Sequence, residues 1–204
     1  MRHNEGMSRA RADIADMRGR ILDAAVDQLR RHGPAKTGVV DVARALGVSH
    51  AAVYRYFDNK NALFDAVAER WLASVSEPLN DIVARRGKAA KRLEDWLTTL
   101  IAIKQRKVNE DREMFAAYSA IAEAARDVVS GHVLMLLTQL QAIIADGMTS
   151  GEFNVKDAKV SAAAVLDATS RFHHPYFVKD YPADAAAARR VIRLLLAGLA
   201  AGPE

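Results

Sequence analysis

Nine residues between positions 37 and 60 have side chains suited to a nucleic-acid groove: Thr37, Ser49, His50, Ala51, Ala52, Tyr54, Arg55, Tyr56 and Lys60. Hydroxyls, phenols and an imidazole donate hydrogen bonds to phosphate oxygens or base edges. A guanidinium offers the flat, two-pronged donor that matches a guanine edge, so Arg55 is the candidate base reader. Ala51 and Ala52 contribute by being small, which lets a helix backbone approach the groove floor. Lys60 opens a helix, where its ammonium and the helix N-terminus together favour a phosphate.

Such residues need rigid elements beneath them. Val53 and Phe57 lie four apart and point back into a core. Ser49 is placed to cap a very short helix running to about Phe57, and Leu46-Gly47-Val48 is the tight turn before it. Thr37 is placed to cap the preceding helix, whose Val39, Val42, Ala43 and Leu46 face inward. Upstream, Ile14, Met17, Ile21, Leu22, Ala25, Val26 and Leu29 form one apolar stripe on a helix over about 13–32, which Gly33-Pro34 stops. Downstream, Asp58-Asn59 caps a long fourth helix carrying Leu63, Phe64, Val67, Trp71, Leu72 and Val75. The pattern predicts a helix-turn-helix over about 38–57 within a three-helix unit at 13–60. Residues 1–12 are polar, basic and aperiodic, and read as a flexible arm.

The charge distribution agrees. Residues 1–60 hold 11 Lys/Arg and 7 Asp/Glu, whereas residues 61–204 hold 18 of each, so the whole formal excess of +4 lies with the helix-turn-helix. A basic piece joined to a neutral body suits phosphate attraction at one end.

Residues 61–204 continue with helical patterns near 89–104, 111–127, 131–148, 156–173 and 184–200, and no alternating strand. Pro175 breaks the chain after His173-His174. The expectation is an all-α protein of about nine helices, with a second domain at 61–204. Its large or soft apolar residues, Trp71, Trp96, Met114, Phe115, Tyr118, Met135 and Phe172, are candidates to line a pocket for a largely apolar ligand, with His132 or His173 as a polar handle.

Several classes are disfavoured. There is no cysteine, hence no disulfide or Cys-based zinc site. No uninterrupted apolar run reaches the ~18 residues of a span, and no signal-peptide pattern is seen, so a soluble, cytoplasmic chain is expected. His173 and His174 are adjacent and point apart on a helix, which disfavours a metal site. No nucleophile elbow, phosphate-cradling loop or carboxylate pair argues for an enzyme, and no cofactor is expected.

The stretch Ile21 to Leu72 resembles the DNA-binding domain of the tetracycline-repressor (TetR) family. The resemblance rests on Gly33, Thr37, Asp41-Val42-Ala43, Gly47-Val48-Ser49, Val53-Tyr54-Arg55-Tyr56-Phe57, Lys60 and Leu63. Gly38 stands where the family often has a second hydroxyl. The resemblance implies phosphate contacts at Thr37, Ser49, Tyr54, Tyr56 and Lys60, and groove-facing positions at His50, Ala51, Ala52 and Arg55. It implies a regulator, more readily a repressor than an activator, released from a palindromic operator by a small effector. It also implies a homodimer in which the last two long helices pair, with Val165, Thr169, Phe172, Ile192, Leu195, Leu196 and Leu199 as candidate seam residues.

Overall fold

The computed structural model describes the backbone of residues 2–180 and 184–202, and side chains from Ile14 onward except Asp180. Among the described residues there are eleven helices and no strand. The chain forms two compact units: one comprises the chain up to Arg70 with Glu113–Val128, the other Trp71–Arg112 with Val129 onward.

The first unit opens with α1 (Arg2–Lys36). Residues 2–12 of the stretch read as a flexible arm are helical and continue α1 backward, and Met1 lies outside the described residues. Only Gly6 weakens helix propagation there, and no proline interrupts it. At the other end Gly33 leaves helical geometry (φ 71°, ψ 170°), where a glycine-proline stop was expected. Next come α2 (Val39–Leu46) and α3 (His50–Tyr54). The first turns of α4 (Lys60–Ala84) and all but Arg112 of α6 (Arg112–Ala122) complete the unit. Ile21, Leu22, Ala25, Leu29, Val42, Val53, Phe57, Leu63 and Val67 are among its buried side chains along α1 to α4. Because α4 runs on into the second unit, the boundary expected at residue 60 coincides with the start of a continuous helix.

The second unit packs α5 (Ala89–Glu110), α7 (Arg126–Thr149), α8 (Ala158–Ala168), α9 (Ser170–His173), α10 (Pro175–Asp180) and α11 (Ala185–Ala201) around one apolar core. That core includes Leu79, Leu93, Trp96, Leu100, Leu140, Ile143, Val165, Phe172 and Ile192. α5 is its axis and contacts α9, α10 and α11. Two more helices form here than the periodicity predicted, because the chain turns at Thr169 and again at His174-Pro175. Helix ends are held by side chains. Glu152 accepts from the Ala89 and Ala90 N–H groups at 3.0 and 3.1 Å, and Asp157 and Asp184 cap α8 and α11.

By length and composition α7 would pass for a membrane span, which a count of uninterrupted apolar residues missed. Its inward stripe alternates polar and apolar groups, however. His132 and Gln139 are buried beside Leu136, Leu140 and Ile143, and both have hydrogen-bond partners, as in a core helix.

Candidate functional site

The helix-turn-helix is assembled from three local devices. α2 ends at Gly47, whose left-handed backbone (φ 68°, ψ 27°) lets Val48 N–H reach back to Ala43 O at 3.0 Å. Ser49 then caps α3, its Oγ accepting from Ala52 N–H at 3.2 Å. Val53 (0 % exposed) and Phe57 (3 %) pin α3 to the core from behind. That anchoring turns His50, Ala51, Tyr54 and Arg55 outward as one exposed face, with Ala52 and Tyr56 half-buried at its edge. His50 and Tyr54 meet edge-to-face, their ring centroids 6.3 Å apart, so the two donors are held in fixed relation.

Two expected contacts have other occupations. Thr37 does not cap α2; that position is Gly38, whose N–H donates to Asp41 Oδ2 at 2.9 Å. Thr37 is instead 1 % exposed and donates its hydroxyl to Gly33 O at 2.8 Å, sealing the end of α1. A side chain enclosed in this way has no free hydroxyl for a phosphate, so its role here is structural. Lys60 does open α4, but its Nζ donates to Pro34 O at 2.9 Å and sits 4.9 Å from the Phe64 ring centre. One neighbouring residue escaped the sequence reading. Arg18 is exposed and lies 5.0 Å from the Phe57 ring centre, beside the segment that ends α3. The expected Asp58-Asn59 cap of α4 is made by Asn59, whose Oδ1 accepts from Ala62 N–H at 2.9 Å.

Comparison with known proteins settles the class. Residues 21–67 match the family model described as bacterial regulatory proteins, tetR family. Residues 89–191, just over half of the chain, match the model of the tetracyclin repressor-like C-terminal domain. The chain belongs to the TetR family. It is 33 % identical over 101 residues to an uncharacterized HTH-type transcriptional regulator of Mycobacterium tuberculosis, covering 50 % of this chain and 49 % of that protein. Over 133 residues it is 32 % identical to an HTH-type transcriptional repressor of the same organism, covering 63 % and 69 %. The chain thus spans about half the length of the first of these relatives. Its fold is similar to that of the transcriptional regulator FadR from Bacillus subtilis, solved in complex with stearoyl-CoA. That match has a TM-score of 0.65 and 19 % identity, and covers 88 % of this chain and 97 % of that one.

Within this TetR-family chain the candidate pocket residues divide between the units. Met114, Phe115 and Tyr118 belong to the first, where Met114 and Tyr118 are buried and Phe115 is half-buried; burial pushes the Tyr118 phenol up to about 12. Trp71, Trp96, His132, Met135, Phe172 and His173 belong to the second. Trp96 is fully enclosed and its Nε1–H donates to Gln139 Oε1 at 3.1 Å, so it packs the core. Met135 is exposed, because its place on α7 falls outside the inward stripe. Trp71 is half-buried and carries the Lys107 ammonium 3.8 Å from its ring centre. His132, Phe172 and His173 are buried in the second unit, where Lys104, a residue the sequence reading passed over, lies 3.4 Å from His132.

Most of the candidate seam residues are occupied within the chain itself. Val165, Thr169, Phe172, Ile192 and Leu199 are buried within the chain's own second unit, and Leu195 and Leu196 are half-buried against its core. Their apolar periodicity serves the fold of one chain. The outward faces of the same helices carry Val160 (66 % exposed) and Ala164 on α8, and Leu194 (73 %) and Ala197 on α11.

Proposed function

We propose that this chain is a dimeric transcriptional repressor that reads a palindromic operator through α3 and is released by a small, largely apolar effector held in its C-terminal unit. The observation that carries the reading is the outward face of His50, Ala51, Tyr54 and Arg55 on α3, held from behind by the buried Val53 and Phe57. Arg55 reads a guanine edge, and Ser49, Tyr54 and Tyr56 meet phosphates, each half-site taking one head.

The dimer seam in this reading is the outward side of α8 and α11, where Val160, Ala164, Leu194 and Ala197 present small and apolar groups that one chain leaves exposed. Effector release is supported by the likeness to a regulator solved with stearoyl-CoA. The excess positive charge of residues 1–60 supports a duplex as partner, and no catalytic constellation competes with it. A DNA-reading role places the protein in the cytoplasm, with the chromosome.

Selection of duplexes from a random pool by the purified protein tests the reading. An inverted repeat with half-sites about one helical turn apart is expected. Enrichment of a single unrepeated site, or of no sequence, would reject the dimeric reading head.

A further inference from the structure

The second unit gathers a cluster of basic groups: half-buried Lys104 lies against the buried His132, with His173 also buried nearby, and Asp111 acts only on the neighbouring Lys107. Lys104 on α5 lies with its Nζ 3.4 Å from His132 Nε2 on α7. His173 on α9 has its Nε2 3.2 Å from both Leu166 O and Thr169 Oγ1. Since Leu166 O only accepts, that nitrogen carries the proton. His132 and His173 are each under a tenth exposed. The titratable groups that act on Lys104 are thus His132, His173, His174 and Lys107, all basic, and Asp111 acts in turn on Lys107.

Burial and this mutual repulsion act together. Burial, with Lys107 adding to it, brings Lys104 down to about 8, and burial with Lys104 and His173 holds His132 at about 3. Burial likewise sets His173 at about 4. At neutral pH the Lys104 ammonium therefore lies beside the neutral imidazoles of His132 and His173, with the Lys107 ammonium, which Asp111 offsets, next to it. His132 Nε2 accepts from Lys104, and no ion pair to Lys104 exists among the described residues. An ammonium has three N–H groups, and a half-buried one beside other bases and without an ion pair is stabilised by an arriving anion. A core position needing only volume is filled as well by leucine or methionine.

We propose that Lys104 is the counter-ion for a carboxylate on the effector. His132 orients the ammonium, and the core holding Leu100, Ile103, Leu136 and Phe172 receives the ligand's apolar body. This rests on the effector-released reading above and gives its ligand a chemical class: an apolar acid. A carboxylate entering the cluster satisfies the free N–H groups of Lys104 and removes its uncompensated charge.

The test uses the full chain, with melting temperature as readout, and two acids each paired with a neutral counterpart: benzoate with benzamide, and decanoate with decanol. At least one acid is expected to raise the melting temperature saturably while its counterpart does not. Lys104→Met is expected to weaken that acid by tenfold or more, Lys104→Arg to retain it in part, and unliganded Lys104→Met to melt above the wild type. Should Lys104→Met fail to fold, Lys104→Gln replaces it. Absence of any wild-type response to either acid up to millimolar concentration overturns the proposal. So does an equal response to acid and neutral partner, or an unchanged response in the Lys104 variants. Operator affinity, measured in parallel, separates the two claims. An acid that binds through Lys104 and leaves operator affinity unchanged upholds the ion pair and rejects effector release. A neutral ligand that releases operator equally from wild type and Lys104→Met does the reverse.

Discussion

Single side chains in the reading head divide into those that face outward and those that hold the head together, and substitution separates them. Arg55 is exposed at the end of α3. Arg55→Ala is expected to cost about 1–3 kcal/mol on the operator, to relax one position in each half-site, and to leave the melting temperature unchanged. Binding lost equally on operator and random duplex would move Arg55 to the backbone. Lys60 behaves differently because it already bonds Pro34 O. Lys60→Met is expected to lower folding stability by about 1 kcal/mol, read by denaturant titration, before any DNA is present. The histidine pair supplies a pH test. His132 and His173 have folded values of about 3 and 4, below the ordinary 6.5, so the unfolded chain binds more protons over that window. Stability is therefore full above about pH 6.5 and falls as pH drops through the folded values. The melting temperature should drop more from pH 7 to pH 5 in the wild type than in a His132→Gln/His173→Gln variant; parallel curves would contradict this. Residue types announced the outward face of α3 in advance. They could not announce Lys104, because a lysine every few residues along an amphipathic helix reads as solvated until packing shows which one lies against buried groups. Nor could they show that the Thr37 hydroxyl turns inward to Gly33, since a threonine before a helix has the same sequence signature whether it caps the next helix or seals the last.

At the level of elements, two junctions carry the second unit. Gly147 on α7 lies against the Phe153 ring, which occupies the place a Cβ would take. Gly147→Ala is expected to destabilise by about 1–3 kcal/mol through overpacking, with the helix content unchanged by circular dichroism. The start of α5 depends on Glu152, whose carboxyl the Ala89 and Ala90 N–H groups hold below the usual carboxylate range. Its contribution is present above the ordinary value near 4.5 and is lost as pH falls through the depressed one. Glu152→Gln should flatten the acid side of the stability profile; an unchanged acid limb would show the cap to be idle. Helix existence was legible from periodicity almost everywhere. The break of the last third of the chain into α8, α9 and α10 was legible only at Pro175, because the turn at Thr169 is made by backbone geometry and a buried hydroxyl, with no proline or glycine to mark it.

For the molecule as a whole, the proposed seam makes a sharper prediction than periodicity did. Apolar spacing marks what is buried, and says nothing of whether the burying partner is the same chain or another. Val165 and Ile192 are taken by the chain's own core, whereas Leu194 is left 73 % exposed. Leu194→Glu is therefore expected to shift the protein toward monomers by light scattering while preserving its melting temperature within about 2 °C, since the position contributes little to the monomer's core. Val165→Glu should unfold the second unit instead, because it buries an unpaired charge. Monomers from both variants with equal loss of fold would place the seam elsewhere. Operator affinity in the Leu194→Glu variant should fall together with dimer content, because each half-site alone is held by one head.

Gln139 has one more implication. Its side-chain amide accepts from Trp96 and donates to Ser76 O at 3.0 Å and to Asn80 Oδ1 at 2.6 Å, fastening α7 at once to α5 and to the later turns of α4. A planar amide holding three partners, two of them buried and one, Asn80, at the surface, loses its bonds together when its plane turns. Any travel of α4 past α7 has to proceed as a step, from one fully bonded register to another, with the broken intermediate as the barrier. A repressor built on such a clasp would answer its signal as a toggle rather than a dial, and the sharpness of its response would be set by an amide that touches neither DNA nor ligand.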